Sequence, residues 1–347
     1  MAAAHGLPVL DLSAFDAGAE ERSVFLRSLR EAALGPGFFY LTGHGIGPAL
    51  TRDVLKLSRQ FFALPEPDTL AIEMIKSPHF RGYNRAGFEH TQGKPDWREQ
   101  VDIGAEREAL PVDRSAPAWL RLQGPNQWPA ALPDLKPVLL HYQAEVTVLA
   151  IRVLRAFAAA LDQPDDIFEP IYTPAPNQLL KIIRYPGRDP DQSDQGVGAH
   201  KDSGFVTILL QDEVAGLQVE ADGGWIEAPP LPGSFVVNIG EILEIASNGL
   251  LRANVHRVVS PPAGSDRLSV AFFLGARLDA TVRPLQLSPE LSRLARGVTQ
   301  DPLNPLFRDV GKNYLKSRLR SHPDVARRHH ADLLEGEPAS SEPASAY

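Results

Sequence analysis

The 347-residue chain contains no cysteine, so neither a disulfide framework nor a thiolate metal site can stabilise it. Absence of cysteine is compatible with a reducing compartment, and a cytoplasmic location is expected. No run of about 18 consecutive apolar residues occurs, so no membrane-spanning helix is expected. Met1–Gly6 lacks a basic region followed by an apolar stretch, the mark of a secretory signal. Positive charge is not in excess either: 35 Lys and Arg stand against 43 Asp and Glu, a net charge of −8. A nucleic-acid partner, which needs a basic face, is therefore not expected. What remains is ordinary for a soluble globule: 43% hydrophobic and 22% charged residues, enough apolar material for a substantial core.

Leu7–Leu12 reads as a strand, residues 20–34 as a helix with Val24, Phe25, Leu29 and Leu34 toward the core, and Phe38–Leu41 as a strand. Residues 48–62 read as a helix; residues 77–135 read as long loops with short strands, one near Gln100–Ile103. The strongest helix spans residues 137–161, where Tyr142, Val146, Leu149, Val153, Phe157 and Leu161 recur every three or four positions. From residue 177 the texture changes to short apolar runs between turns: Leu179–Arg184, Phe205–Gln211, Gly216–Glu220, Ser234–Asn238, Asn254–Val259 and Leu268–Leu274. Asp222-Gly223-Gly224 is a hairpin signal, and Glu241–Asn248 a short helix closed by Gly249. Closely spaced strands indicate an antiparallel barrel or sandwich. The reading gives residues 1–135 as a helical and loop region packed on the core, 136–330 as the core with its long helix, and 331–347 as a disordered tail.

One set of residues carries chemistry. His200-Lys201-Asp202 and His256 supply two imidazoles and a carboxylate, which can hold a ferrous ion on one face and leave the other open. His-x-Asp alone is weak, because it occurs three times here: His200/Asp202, His322/Asp324 and His330/Asp332. The latter two lie in a polar C-terminal segment and read as solvated surface. The first precedes an apolar strand and is followed by a strand histidine. It is followed next by Arg267-Leu268-Ser269, the only Arg-x-Ser in the chain. Strand alternation puts Arg267, Ser269, Ala271 and Phe273 on one face. An inward-facing arginine there needs an anion, and its forked guanidinium suits a carboxylate. A structural arginine paired with a protein carboxylate is the plain alternative.

Several further pieces occur in a fixed order. They are Leu7–Leu12, Gly37-Phe38-Phe39-Tyr40-Leu41-Thr42-Gly43-His44-Gly45-Ile46, Phe61–Pro65, Asp96-Trp97-Arg98-Glu99, Gly124–Pro129 and Tyr185-Pro186. With the His-x-Asp…His set and Arg-x-Ser, this order resembles the isopenicillin N synthase-like family of iron(II)- and 2-oxoglutarate-dependent dioxygenases, over nearly the whole chain. The resemblance implies a mainly β protein with flanking α elements: a double-stranded β-helix (jelly-roll) core with helical N-terminal elements. It implies Fe(II) on His200, Asp202 and His256, and 2-oxoglutarate on Arg267 and Ser269 with Tyr185 nearby. No catalytic residue beyond the metal ligands is implied. The family often carries Asn two residues before this tyrosine; here the position is Ile183.

The function so implied is oxidation of a small molecule with O2 as the other substrate. Hydroxylation, desaturation and ring formation are the candidate outcomes, with succinate and CO2 released. Alternatives are an iron oxidase of the same fold without 2-oxoglutarate, an ethylene-forming type, a silent jelly-roll binding protein and, more remotely, a zinc hydrolase. Phe80, Arg81, Tyr83, Phe205 and Phe273 are candidate substrate linings; Arg81 or Arg184 facing the pocket would suit an acidic substrate group, and strand alternation makes Arg184 the lesser candidate of the two.

Overall fold

Two β-sheets face one another in this computed structural model, which describes residues 6–91, 93–111, 115–189, 193–221, 223–298 and 304–334. The N-terminal part comprises β1 (Val9–Asp11), α1 (Ala19–Leu34), β2 (Phe38–Thr42), α2 (Pro48–Phe62), α3 (Glu66–Ala71), β3 (Gly82–Asn84), β4 (His90–Thr91), β5 (Lys94–Pro95) and β6 (Glu99–Gly104). The long helix α4 (Leu135–Ala160) and the short α5 (Glu169–Tyr172) follow. Then come β7 (Gln178–Tyr185), β8 (Gln195–His200), β9 (Val206–Gln211), β10 (Leu217–Ala221), β11 (Gly224–Glu227), β12 (Phe235–Ile239), α6 (Glu241–Ala246), β13 (His256–Val259) and β14 (Arg267–Leu274). Four helices close the chain: α7 (Pro289–Leu294), α8 (Val310–Ser321), α9 (Pro323–His329) and α10 (Ala331–Leu334).

The larger sheet has eight strands in the order β1-β2-β12-β9-β14-β7-β6-β3; the smaller has four, β11-β10-β13-β8. Only β1 and β2 run parallel within them. This is one of the two forms, barrel or sandwich, that the strand pattern indicated, and the jelly-roll core that the resemblance implied. The central part of the larger sheet is covered on both faces, so β2, β9, β12 and β14 are mostly apolar. On β14, Val270, Phe272 and Leu274 join the core formed with α1, α2 and α4, while Ala271 belongs to the core between the sheets. The helix α4 lies under β9 and β14. All six residues of its expected stripe are buried. An 18-residue window of α4 would be apolar enough to cross a membrane by composition; here that character serves packing against the sheet.

Several expectations need correction. The N-terminal region does not merely pack on the core: β1, β2, β3 and β6 are strands of the larger sheet itself. On α1 the buried residues are Phe25, Leu29, Ala32 and Ala33, whereas Val24 and Leu34 are exposed. At 100° per residue Leu34 falls on the side opposite Phe25, so an apolar type alone misassigned it. The strand β8 was not anticipated, because Gly196 and Gly198 break its apolar run. Of the expected hairpin turn, Asp222 lies outside the described residues, and the turn joins β10 to β11.

The C-terminal segment differs most. His322 and His330, read as solvated, are each 1% exposed. The ring of His330 stacks on Phe80 at 5.1 Å and 6°, and its Nε2 donates to Pro78 O at 2.8 Å. Phe80 also joins Met74, Leu122, Leu315 and Val325 in a third small core. Of the expected disordered tail, Ala331–Leu334 is helical and Asp332 pairs with Arg121 at 2.7 Å; residues 335–347 lie outside the described residues. Average polarity hid the amphipathic faces of these helices.

Two outcomes are expected. Phe157→Ala deletes a fully buried ring that packs edge-on against Phe39 at 6.2 Å. It should cost about 3–5 kcal/mol in urea denaturation, and a loss under about 1 kcal/mol would contradict the packing described. Burial, with Arg318 adding to it, pushes His322 down to about 3. The unfolded chain takes up that proton near pH 6.5 and the folded chain does not, so stability is present above that pH and lost as pH falls below it. The urea midpoint of His322→Asn should therefore vary less between about pH 7.5 and 5.5 than that of the wild type.

Candidate active site

His200 ends β8 and faces His256, its direct partner at the start of β13. The two rings lie 4.2 Å apart between centroids. Asp202 follows two residues after β8, and its Oδ1 lies 3.6 Å from His200 Nε2 and 3.7 Å from His256 Nε2. One ligand atom from each of the three residues falls within 4.8 Å of the others, a spacing that one metal ion can bridge. The Nδ1 of His200 donates to Gly198 O at 2.9 Å, and that of His256 to Asn254 O at 3.3 Å. A carbonyl only accepts, so both Nδ1 atoms carry the proton and both Nε2 lone pairs point inward.

The Asp202 carboxylate is oriented just as firmly. Its Oδ2 accepts from Thr207 Oγ1 at 2.5 Å and from Asn238 Nδ2 at 2.8 Å, leaving Oδ1 toward the histidines. Burial opposes its charge, but His256, His200 and Asn238 together hold its carboxyl below the ordinary range. Burial pushes His256 down to about 4, with His200 acting the same way. Near neutral pH His256 is therefore a neutral imidazole beside the Asp202 carboxylate, the protonation a divalent metal needs of those two groups.

The same inter-sheet cavity holds Arg267, Ser269, Ala271 and Phe273 from β14, with Ile183 and Tyr185 from β7. Arg267 is fully buried. Its Nη2 donates to Gln211 Oε1 at 2.8 Å, and its guanidinium lies 4.9 Å from the centre of the Tyr185 ring. Nε and Nη1 of Arg267 and Oγ of Ser269 are buried with no partner. Orphaned donors of a charged group are costly, and three in one cavity mark a place for an anion. Gly216 makes room for that arginine: its φ is +152°, and a Cβ there would lie 3.2 Å from Arg267 Cδ and 2.7 Å from Val259 O. Ile183, 3% exposed, faces the cavity as the alternation implied, so that position presents no polar contact. Arg184 points away, to Glu99 and Asp266.

A second, wider cavity opens on the other side of His200 and Asp202. Of the expected linings only Phe273 borders it. Phe80 is in the third core, Phe205 in the helix-side core, and Tyr83 packs against Phe61 and donates to Glu99. Arg81 donates to the carbonyls of His79, Phe80 and Leu122. The sequence reading missed Glu89, Arg98, Lys181 and Glu241, as well as Asn313, Tyr314 and Arg318 of α8. Arg98, in the Asp-Trp-Arg-Glu segment, borders both cavities. It pairs with Glu89 at 2.9 Å and Asp96 at 3.3 Å. Burial pushes the Glu241 carboxyl up to about 7, against the pull of Lys316 and Lys201.

Comparison with known proteins agrees with this geometry. The family model described as non-haem dioxygenase in morphine synthesis N-terminal matches residues 7–131, and that of the 2OG-Fe(II) oxygenase superfamily matches residues 176–276. A 2-oxoglutarate-dependent dioxygenase, frbJ, of Dothideomycetidae sp. is 35% identical over 93% of this chain and 91% of its own length. The chain belongs to the 2OG-Fe(II) oxygenase superfamily. This oxygenase is also 35% identical to a homoarginine-6-hydroxylase of Arabidopsis thaliana, over 85% of this chain and 92% of the relative. A full-length Neurospora crassa protein, solved in complex with alpha-KG and thymine, superposes with a TM-score of 0.72 at 25% identity, over 94% of this chain and 97% of that one. The oxygenase is accordingly an oxidoreductase that uses iron(II), 2-oxoglutarate and O2 on a small molecule.

Asn238→Ala removes one of the two donors to Asp202 Oδ2 without touching a ligand atom. Fe(II) affinity under anaerobic titration should fall about 10- to 100-fold, and an unchanged affinity would remove Asn238 from the support of the site.

Proposed function

We propose that this oxygenase holds Fe(II) through His200 Nε2, Asp202 Oδ1 and His256 Nε2, and binds the far carboxylate of 2-oxoglutarate through Arg267 and Ser269. One observation carries the assignment: the only orphaned donors of β14, on Arg267 and Ser269, face the cavity into which the His-Asp-His cluster also points. Nε and Nη1 of the guanidinium offer a carboxylate two charge-assisted hydrogen bonds, and Ser269 Oγ offers another. Tyr185 forms the wall beside the guanidinium. The apolar Val197, Leu209, Leu217 and Val258 enclose the carbon chain and keep water out. Iron with 2-oxoglutarate and O2 supplies the oxidant for a C–H bond, with succinate and CO2 as co-products.

The substrate enters by the second cavity, which shares His200, Asp202, Arg98 and Phe273 with the first. Its walls mix charged and polar side chains with Leu179, Ile242, Phe273 and Val310, so the reading favours a small substrate that carries both polar groups and apolar carbon. Relatives named for homoarginine and a neighbour solved with thymine support the polar character.

The test is oxygen uptake by the Fe(II)-loaded enzyme with and without 2-oxoglutarate, together with succinate release. Uptake should require 2-oxoglutarate and vanish in Asp202→Ala. Arg267→Leu should raise the KM for 2-oxoglutarate about 100-fold, the loss of about two charge-assisted hydrogen bonds, while Fe(II) affinity stays as in the wild type. An unchanged KM in Arg267→Leu would overturn the co-substrate assignment.

A further inference from the structure

The charges on the wall of the second cavity are almost all spoken for. Arg98 pairs with Glu89 and Asp96. Lys181 pairs with Glu89 at 3.4 Å and Asp102 at 3.5 Å, and Arg318 with Asp102 at 2.8 Å. Lys201 reaches Glu244 at 3.5 Å, and Arg320 donates to Asn304 at 3.2 Å. Among the carboxylates, Glu89 is taken by Arg98 and Lys181, and Asp202 belongs to the metal cluster. Glu241 is different. No hydrogen bond or ion pair to its carboxylate occurs among the described residues, and the side chain borders the cavity. Lys201 and Lys316 are near enough to act on it electrostatically but neither makes an ion pair with it. Lys316 instead donates to Pro305 O at 2.6 Å.

The position of Glu241 is rigid. Its backbone N–H donates to Asp202 O at 2.7 Å, and the preceding Gly240 donates to Phe205 O at 2.8 Å. A Cβ on Gly240 would lie 2.1 Å from Gly204 O, so this backbone is pressed against the segment that carries Asp202. Glu241 is thus held next to the metal cluster, at the start of α6, with its carboxylate open to the space a substrate must occupy. A carboxylate at the edge of a cavity and without a cation in contact among the described residues is free to take up a cation of a ligand.

We propose that Glu241 is the specificity residue of the second cavity and receives a cationic nitrogen group of the substrate, an ammonium or a guanidinium. This rests on the oxygenase reading of the site and names the substrate class within it. Arg98, Lys181, Lys201 and Arg318 are each paired with a carboxylate of the protein, so they do not compete for a substrate anion as an unpaired arginine would. Asn313 and Tyr314 of α8 offer neutral polar contacts beside it.

The test is equilibrium binding by calorimetry to the full-length chain loaded with Fe(II) and 2-oxoglutarate without oxygen. The probes are butylguanidinium against butylurea, and butylammonium against butanol, so that the two cation chemistries are separated. The wild type should bind at least one cation about 10-fold tighter than its neutral partner. Glu241→Gln should bring the two within about twofold, and Glu241→Asp should keep the preference, with thermal unfolding confirming that both variants fold. Equal binding of cations and neutrals by the wild type, no saturable binding of either cation, or full discrimination retained in Glu241→Gln would overturn the proposal. The 2-oxoglutarate titration in the same experiment reports on the oxygenase reading separately. Loss of 2-oxoglutarate binding with cation preference intact would sink that reading alone, and the reverse result this inference alone.

Discussion

Asp202 is a carboxylate buried between two sheets, 5% exposed, and most of the architecture can be understood as what is needed to keep it charged there. An isolated ionised carboxylate in such a place would neutralise. Here each oxygen has a different task. Oδ2 is held by Thr207 of β9 and Asn238 of β12, both strands of the larger sheet. Oδ1 faces His200 of β8 and His256 of β13, both strands of the smaller sheet. Four strands from two sheets must therefore be in place before the cluster exists, so the sandwich and the site form together. The support extends outward. Asp96 Oδ1 accepts the backbone N–H of Gly198, and Gly198 O in turn accepts Nδ1 of His200. A residue from the N-terminal region thus sets the edge of the strand that carries the first histidine.

The buried charges around Glu89 and Asp102 are a second layer of the same logic. Glu89 meets Arg98 and Lys181, Asp102 meets Lys181 and Arg318, and these residues come from the segment before β6, from β6, from β7 and from α8. Buried pairs of this kind contribute little net stability, but removal of one partner leaves the other uncompensated. Their effect is to fix α8 against the sheet as one wall of the second cavity. The two cavities meet at His200 and Asp202, which line both.

Reading the chain alone captured the periodic elements well. The stripe of α4 and the alternation of β14 are direct consequences of backbone geometry, and both faces of β14 fell where a period of two put them. The cluster of His200, Asp202 and His256 was legible because the residue types are chemically distinctive and their order is specific. Where type and period gave no contrast, the reading failed. Two glycines concealed β8, and apolar residues on the wrong face of α1 looked like core. Phe80 and Arg81 were placed near the substrate by their position in the chain, whereas the fold turns them into a separate core with His330.

The amino-acid sequence by itself determined the local periods, and the order and chemistry of its residues singled out His200, Asp202 and His256 as a cluster able to hold a metal and Arg267 as the arginine that asks for an anion. Tertiary structure decided which charges find partners. Lys181 and Arg318 are far from Glu89 and Asp102 in the chain and pair with them only when β6, β7 and α8 come together. That is also why Glu241 could not be singled out beforehand: an unpaired carboxylate is recognisable only once every cation that might have reached it has been placed.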